Sequence, residues 1–342
     1  MFSVPESSRK RAKRESQPIV LQGYGLKPDT QLEVFGQEFH VVSSALKMHS
    51  AFFAKFLDSA DKMPAVAPNS KFKYNWVTKV DADGTGWGLV HWESLENSKA
   101  PDIITKFSGK TTHEVAAFES LMHAIHGWAI AISDQAHLHL VTQLADYYRA
   151  LPILSLTVSA ALPTNPGMTA AIPQHCCSIL EDAYKLRNAT LFRECLVYAC
   201  GPWDSPAGPQ YMTLQNTKLK FVVERAYHRF NTSLLQFQTL LLKKTAETLI
   251  GPSVGLELMM EVGKSVEGGK DFHLPAYFRQ ATKVSDLASC QVVKESADRL
   301  LKSCLTLDQG AARSGYGDFR NFFLGFEISD DDLPWDVNER HW

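Results

Sequence analysis

Asp29-Thr30-Gln31-Leu32-Glu33-Val34-Phe35-Gly36-Gln37-Glu38-Phe39-His40-Val41-Val42-Ser43 is the stretch on which the fold turns. Leu32 and Val34 alternate with Gln31 and Glu33, and Phe39 and Val41 alternate again, the period of half-buried strands. Gly36-Gln37 supplies a turn, so Gln31–Val42 reads as a β-hairpin. Ser43 or Ser44 can then cap a helix whose apolar positions are Leu46, Phe53, Phe56 and Leu57. Strand, turn, strand and helix thus crowd into one short span.

Outward from the hairpin, residues 59–72 read as a loop, with Pro64, Pro68 and Asn69-Ser70. A second hairpin follows. Tyr74, Trp76, Thr78 and Val80 form one arm, Asp83-Gly84-Thr85-Gly86 the turn, and Trp87, Leu89 and His91 the return. The polar stretch Glu93–Gly109 is expected to be irregular. Helical spacing takes over at Val115, Phe118, Leu121, Met122 and Ile125 and stops at Gly127. Leu138, Val141, Leu144 and Ala145 repeat the pattern. Cys177–Leu186 and Ala189–Ala199 predict a helical pair, ended by Gly201-Pro202. Residues 214–250 predict the longest helix, with a break at Asn231. Shorter helices follow to Leu305.

The whole chain has 342 residues, 45% of them hydrophobic and 21% charged, which suits a globular protein of about two domains. Lys+Arg number 35 against Asp+Glu 37, a formal net charge of -2, so no direct nucleic-acid binding is expected. Six cysteines, none in the first half, point to a reducing compartment rather than a disulfide framework. The longest apolar run, Leu151–Leu162, is interrupted by Pro152, Ser155, Thr157 and Ser159, so no membrane span is expected. The charged N-terminus lacks a following apolar stretch, so no signal peptide is expected either. Residues 1–23 are expected to be a disordered basic tail. Its cluster Arg9, Lys10, Arg11, Lys13 and Arg14 reads either as a nuclear-import signal or as a solubilising tail, which places the protein in nucleus, cytoplasm or both.

The hairpin and its sequel resemble the opening of a BTB/POZ domain. Asp29, Leu32, Val34, Gly36, Phe39, Leu46 and Ser50-Ala51-Phe52-Phe53 follow that family's motif in register. Phe118-Glu119-Ser120-Leu121-Met122 with Ile125-His126-Gly127 is similar to the family's helix ending in Tyr-Thr-Gly. Leu144-Ala145-Asp146-Tyr147-Tyr148 is similar to its Ala-Asp-Lys-Tyr helix. The family's His and Lys positions hold Val42 and Ser43 here, so the charged pocket that Asp and Lys build in many BTB dimers is incomplete. Leu144–Leu154, Tyr184-Lys185-Leu186-Arg187 and Leu191-Phe192-Arg193-Glu194-Cys195 resemble a fungal subgroup with a helical region after the domain. The resemblance implies an α+β protein with a BTB/POZ-like domain over 24–165 and an all-helical domain over 166–310. It also implies a non-enzymatic protein–protein interaction module with protein partners, either a nuclear, transcriptional scaffold or a substrate adaptor of a cullin-type ubiquitin ligase. In Gln17–Gly25 only three consecutive residues are aliphatic, Ile19-Val20-Leu21, and Pro18 and two glycines bar an amphipathic helix, so a monomer or a weak dimer is expected.

Chemistry-bearing motifs are few. Gly251-Pro252-Ser253-Val254-Gly255 satisfies G-x-S-x-G, with Asp271 and His273 following in hydrolase order. A nucleophile elbow needs a buried strand before it, and Lys243-Lys244-Thr245-Ala246-Glu247 is instead a helix surface. His123 and His126 share a helix face, yet no second ligand pair at zinc spacing accompanies them. Gly84-Thr85-Gly86-Trp87-Gly88 lacks the Lys-Ser/Thr of a phosphate loop. No catalytic residue, metal or cofactor is therefore expected. The protein-interaction candidates are Asp29 and the C-terminal stripe Phe319, Phe322, Phe323 and Phe326, whose spacing predicts a helix over part of 311–342. Glu327, Asp330, Asp331, Asp332 and Trp335 follow. Docking of that stripe on the core is the expected outcome; a segment that folds on a partner is the other reading.

Overall fold

The computed structural model describes residues 17–23, 25–59, 71–95, 106–203, 208–248, 260, 272–283, 290–307 and 312–339. The chain is mixed α+β and divides into two units, residues 1–128 and 129–342. The basic cluster Arg9–Arg14 and the serine motif around Ser253 lie outside the described residues.

In the first unit, β2 (Thr30–Val34) and β3 (Gln37–Val41) pair antiparallel with Leu32 opposite Phe39. The turn is Phe35-Gly36, one residue earlier than expected. Both have positive φ, 50° and 87°, as a two-residue turn matched to strand twist requires. Phe35 tolerates this because its amide donates to Thr78 Oγ1 at 3.0 Å and its ring lies between Trp87 and Phe107. The second hairpin is also present: β4 (Tyr74–Val80) pairs parallel with β2 and antiparallel with β5 (Trp87–His91). A short strand β1 (Ile19–Val20), within the stretch expected as tail, pairs parallel with β3 and completes the order β1-β3-β2-β4-β5.

The helix after the first hairpin is two helices, not one. Ser50 is extended (φ -138°), ending α1 (Ser43–His49) and capping α2 (Ala51–Phe56), where its Oγ accepts from the Phe53 amide at 3.1 Å. A third helix, α3 (Thr111–Ile125), stops at Gly127, whose φ of 71° suits a helix C-terminus. Leu32, Val34, Phe39, Leu46, Phe53, Trp76, Phe118 and Leu121 are fully buried between sheet and helices.

The second unit is helical among the described residues: α4 (Gln135–Tyr147), α5 (Leu151–Ala161), α6 (Pro166–Lys185), α7 (Ala189–Ala199), α8 (Thr217–Thr248), α9 (Leu274–Ala281) and α10 (Gln291–Leu301). Helix α6 begins eleven residues before the expected start. Its kink at His175 (φ -119°) follows Pro173, which lacks an amide to donate. Helix α8 runs through Asn231 without the expected break. No helix among the described residues is long and apolar enough to cross a membrane.

Candidate functional site

Asp29 stands just before β2, half-buried, and its carboxylate is used within its own chain. Oδ1 accepts from the Ser43 amide at 2.7 Å and Thr30 Oγ1 at 3.2 Å, and Oδ2 accepts from Ser43 Oγ at 2.6 Å. The helix α1 cap expected from Ser43 or Ser44 is thus supplied by Asp29, since Val42 is the N-cap residue and has no polar side chain. A carboxylate at a helix N-terminus is favoured by the amides it meets there and by the helix dipole.

One turn further on, Lys47 Nζ donates to Asp58 Oδ2 at 2.5 Å and to Tyr74 Oη at 3.0 Å, and Tyr74 Oη donates to Asp58. Partial burial opposes the Lys47 charge, but these hydrogen bonds win and raise its pKa; the same Lys47 bond lowers that of Asp58. Sequence reasoning missed this trio, because its members lie on different elements and share no motif.

The histidines suspected as ligands have structural partners. His126 Nε2 accepts from the Val42 amide at 3.3 Å while Nδ1 donates to the Met122 carbonyl at 2.8 Å. Burial lowers its pKa, consistent with a neutral ring in that tautomer. His123 lies beside Trp128 and Glu119. Among the described residues, no three His, Cys, Asp or Glu side chains are arranged to hold a metal ion.

In the second unit the C-terminal stripe departs from expectation. Phe319, Phe322, Phe323 and Phe326 are not on a helix; a single 3-10 turn (Gly317–Phe319) is followed by irregular chain. The backbone partners there are distant: the Cys304 amide donates to the Leu324 carbonyl at 2.8 Å, and the Leu324 amide to Ser314 Oγ at 2.8 Å. Gly325 passes so close to the end of α10 that a Cβ would meet the carbonyls of Arg299, Leu300 and Lys302 at 3.0–3.2 Å.

The phenyl rings nevertheless dock. Phe326 stacks on Phe230 of α8 with centroids 4.2 Å apart, and Phe323 meets Trp203, Phe230 and Phe278. Phe319 and Phe322 lie against Tyr198 of α7 and remain partly exposed. The four rings therefore split between two neighbourhoods instead of sharing one helix face. A cleft of about 460 Å³ opens beside them, with Phe230, Phe237 and Phe326 in its lining and Arg229, Arg299 and Lys302 among its polar groups.

The acidic residues beyond the stripe meet arginines. Arg225 and Arg229, one turn apart on α8, both reach Asp332 Oδ1, at 2.7 and 2.8 Å. Partial burial pushes the Asp332 pKa up, but the two guanidiniums and the Ser329 hydroxyl hold it well below the usual carboxylate range. Arg193 pairs with Asp330 and Arg187 with Glu339, the latter at 2.6 Å. Glu194 of α7, almost fully buried, accepts from the amides of Thr306 and Leu307. The acids form one run while the arginines are scattered over distant segments, so their meeting is not readable from either. No family model, curated protein or solved structure matches this chain.

Proposed function

We propose that the protein is a non-enzymatic interaction module of BTB/POZ type that bridges protein partners in a nuclear or transcriptional complex. One observation carries the reading: the apolar side chains that bear the motif are core residues. Leu32, Val34, Phe39, Leu46, Phe53 and Phe118 are each fully buried, and they lie on strands and helices in the order in which the family's motifs run. The matching residues thus occupy the inward faces of five elements, two strands and three helices.

The departures from the motif bear on assembly. Ser43, where many relatives carry Lys, joins its amide and hydroxyl to Asp29. Both carboxylate oxygens are engaged inside the chain, which disfavours a charged dimer pocket at this position. Partner recognition then falls to other surfaces.

The test is quantitative capture of the full chain at native expression level, followed by identification of stoichiometric partners. Recovery of transcription or chromatin factors supports the scaffold role, and recovery of a cullin reassigns the protein as a ligase adaptor. Isolation of the protein alone, together with fluorophosphonate labelling abolished by Ser253→Ala, overturns the reading in favour of a hydrolase.

A further inference from the structure

Residues 328–339 lie across the second unit as a bound peptide would. Arg193 Nε donates to the Ile328 carbonyl at 2.9 Å and its guanidinium pairs with Asp330. Arg225 and Arg229 share Asp332, and Arg187 takes Glu339. Between these charged contacts sit two apolar anchors. Leu333 is buried, and the Trp335 ring packs edge-on to Phe192 at 5.1 Å and near Tyr184. The segment makes a single 3-10 turn (Asp330–Asp332), closed by reciprocal Ser329 and Asp332 hydrogen bonds. Carboxylates followed by Leu-Pro-Trp are a linear pattern read by an arginine track and an aromatic shelf.

We infer that the face formed by α7, α8 and the turn between α6 and α7, bearing Arg187, Arg193, Arg225 and Arg229, is a docking surface for acidic–aromatic segments of partner proteins, occupied in this state by the chain's own residues 328–339. The inference rests on the reading of the protein as an interaction module and names the chemistry of one partner. Charge complementarity selects the occupant: four guanidiniums face three carboxylates, so a basic or purely apolar segment leaves arginines unpaired. Exchange is feasible because the arginine side of the contacts is open to solvent, although Asp332 and Leu333 are nearly buried. Arg225 and Arg229 are half exposed, and exposed ion pairs are individually weak. The tether adds to these contacts an effective concentration on the order of millimolar. A partner segment with a few added contacts, or several copies of the motif, can displace it.

The probe is a fluorescein-labelled peptide of residues 328–339, and the host is the full chain carrying Asp330→Asn, Asp332→Asn and Trp335→Ala. Saturable binding is expected by fluorescence anisotropy. It should weaken about tenfold or more as salt rises from about 50 to 500 mM, because the contacts are screened charges. The intact chain should bind at least about tenfold more weakly, since its own segment competes. Arg225→Ala with Arg229→Ala in the same host should abolish binding while the melting profile persists.

A second measurement needs no variant. Excess unlabelled peptide should accelerate hydrogen exchange in residues 328–339 of the intact chain, and this arm decides if the triple variant does not fold. Absence of both effects overturns the proposal, as does equal binding of a peptide with every Asp changed to Asn. Concentration-dependent dimerisation of the intact chain that the peptide disperses gives the surface to a second copy and overturns the assignment to a partner. Should partners be captured while the peptide fails to bind, the interaction role survives and this surface is removed from it.

Discussion

Phe53 is where sequence pattern and packing meet most directly. It is fully buried on α2, edge-on to Phe52. Replacing a buried Phe by Ala removes its transfer energy and leaves a cavity, a loss of about 3–5 kcal/mol. That is a large share of the stability of a domain. Phe53→Ala is therefore expected to lower the melting temperature sharply or to abolish the folded state, and an unchanged thermal melt would contradict the burial. Gly84 is a second residue under tight constraint. Its φ is +75°, and a Cβ there would lie 2.4 Å from the Lys106 carbonyl oxygen. The Ser108 amide also donates to the Gly84 carbonyl at 2.9 Å, so this backbone cannot easily move away. Gly84→Ala should cost more than the roughly 1–2 kcal/mol of a left-handed L-residue alone. Denaturant titration checks this, a smaller loss implying that the 106–108 segment yields.

Helices α4 and α6 are joined by a pH-sensitive pair. His139 Nδ1 lies 2.9 Å from Asp182 Oδ1, and Asp182 is buried with Oδ2 unbonded among the described residues. The Asp182 hydrogen bond raises the His139 pKa above 6.5; partial burial and Lys185 oppose this, and Glu181 adds to it. A raised folded-state pKa contributes stability that is complete below the unfolded value and lost as pH rises through the folded one. The melting temperature should therefore fall as pH rises past the ordinary histidine value, and Asp182→Asn should flatten that slope. Gln143 contacts His139 Nε2 at 2.9 Å, so the charged ring requires the amide to present its oxygen. The same scale shows what the sequence could and could not disclose. Both hairpins, the end of α3 and the pairing of α6 with α7 were legible, because alternation, helical spacing and glycine stops are local signals. The break at Ser50 was hidden inside a continuous apolar pattern. The first half of α6 was hidden by Pro166, Gly167 and Pro173, which read as breakers although proline is tolerated in a first turn and at a kink. The phenylalanine stripe had helical spacing, yet Gly325 must approach three carbonyls and Leu324 bonds at a distance. Long-range partners overrode the local period.

At the scale of the whole molecule, assembly follows from how the first unit uses its edges. The β1 strand lies on β3 of its own chain, and Asp29 is consumed by Ser43. Asp29 is thereby engaged within the chain, and β1, although an edge strand, is only two residues long; a permanent dimer normally buries more than about 2,000 Å². Light scattering of the intact chain at micromolar concentration should give the monomer mass, or a weak dimer that disperses on dilution. A stable dimer that dissociates when residues 1–28 are deleted would contradict it. The placement of the aromatic segment has a consequence for synthesis. Sheet and helices of the first unit are complete within residues 1–128. The second unit is different, because Phe323 and Phe326 cover Phe230 and Phe278 only after residue 326 has been translated. At roughly 5–20 residues per second, α8 emerges from the ribosome several seconds before those rings do. During that interval the nascent chain carries an open phenylalanine face, a natural substrate for ribosome-associated chaperones and the point at which a stalled ribosome would release an aggregation-prone product.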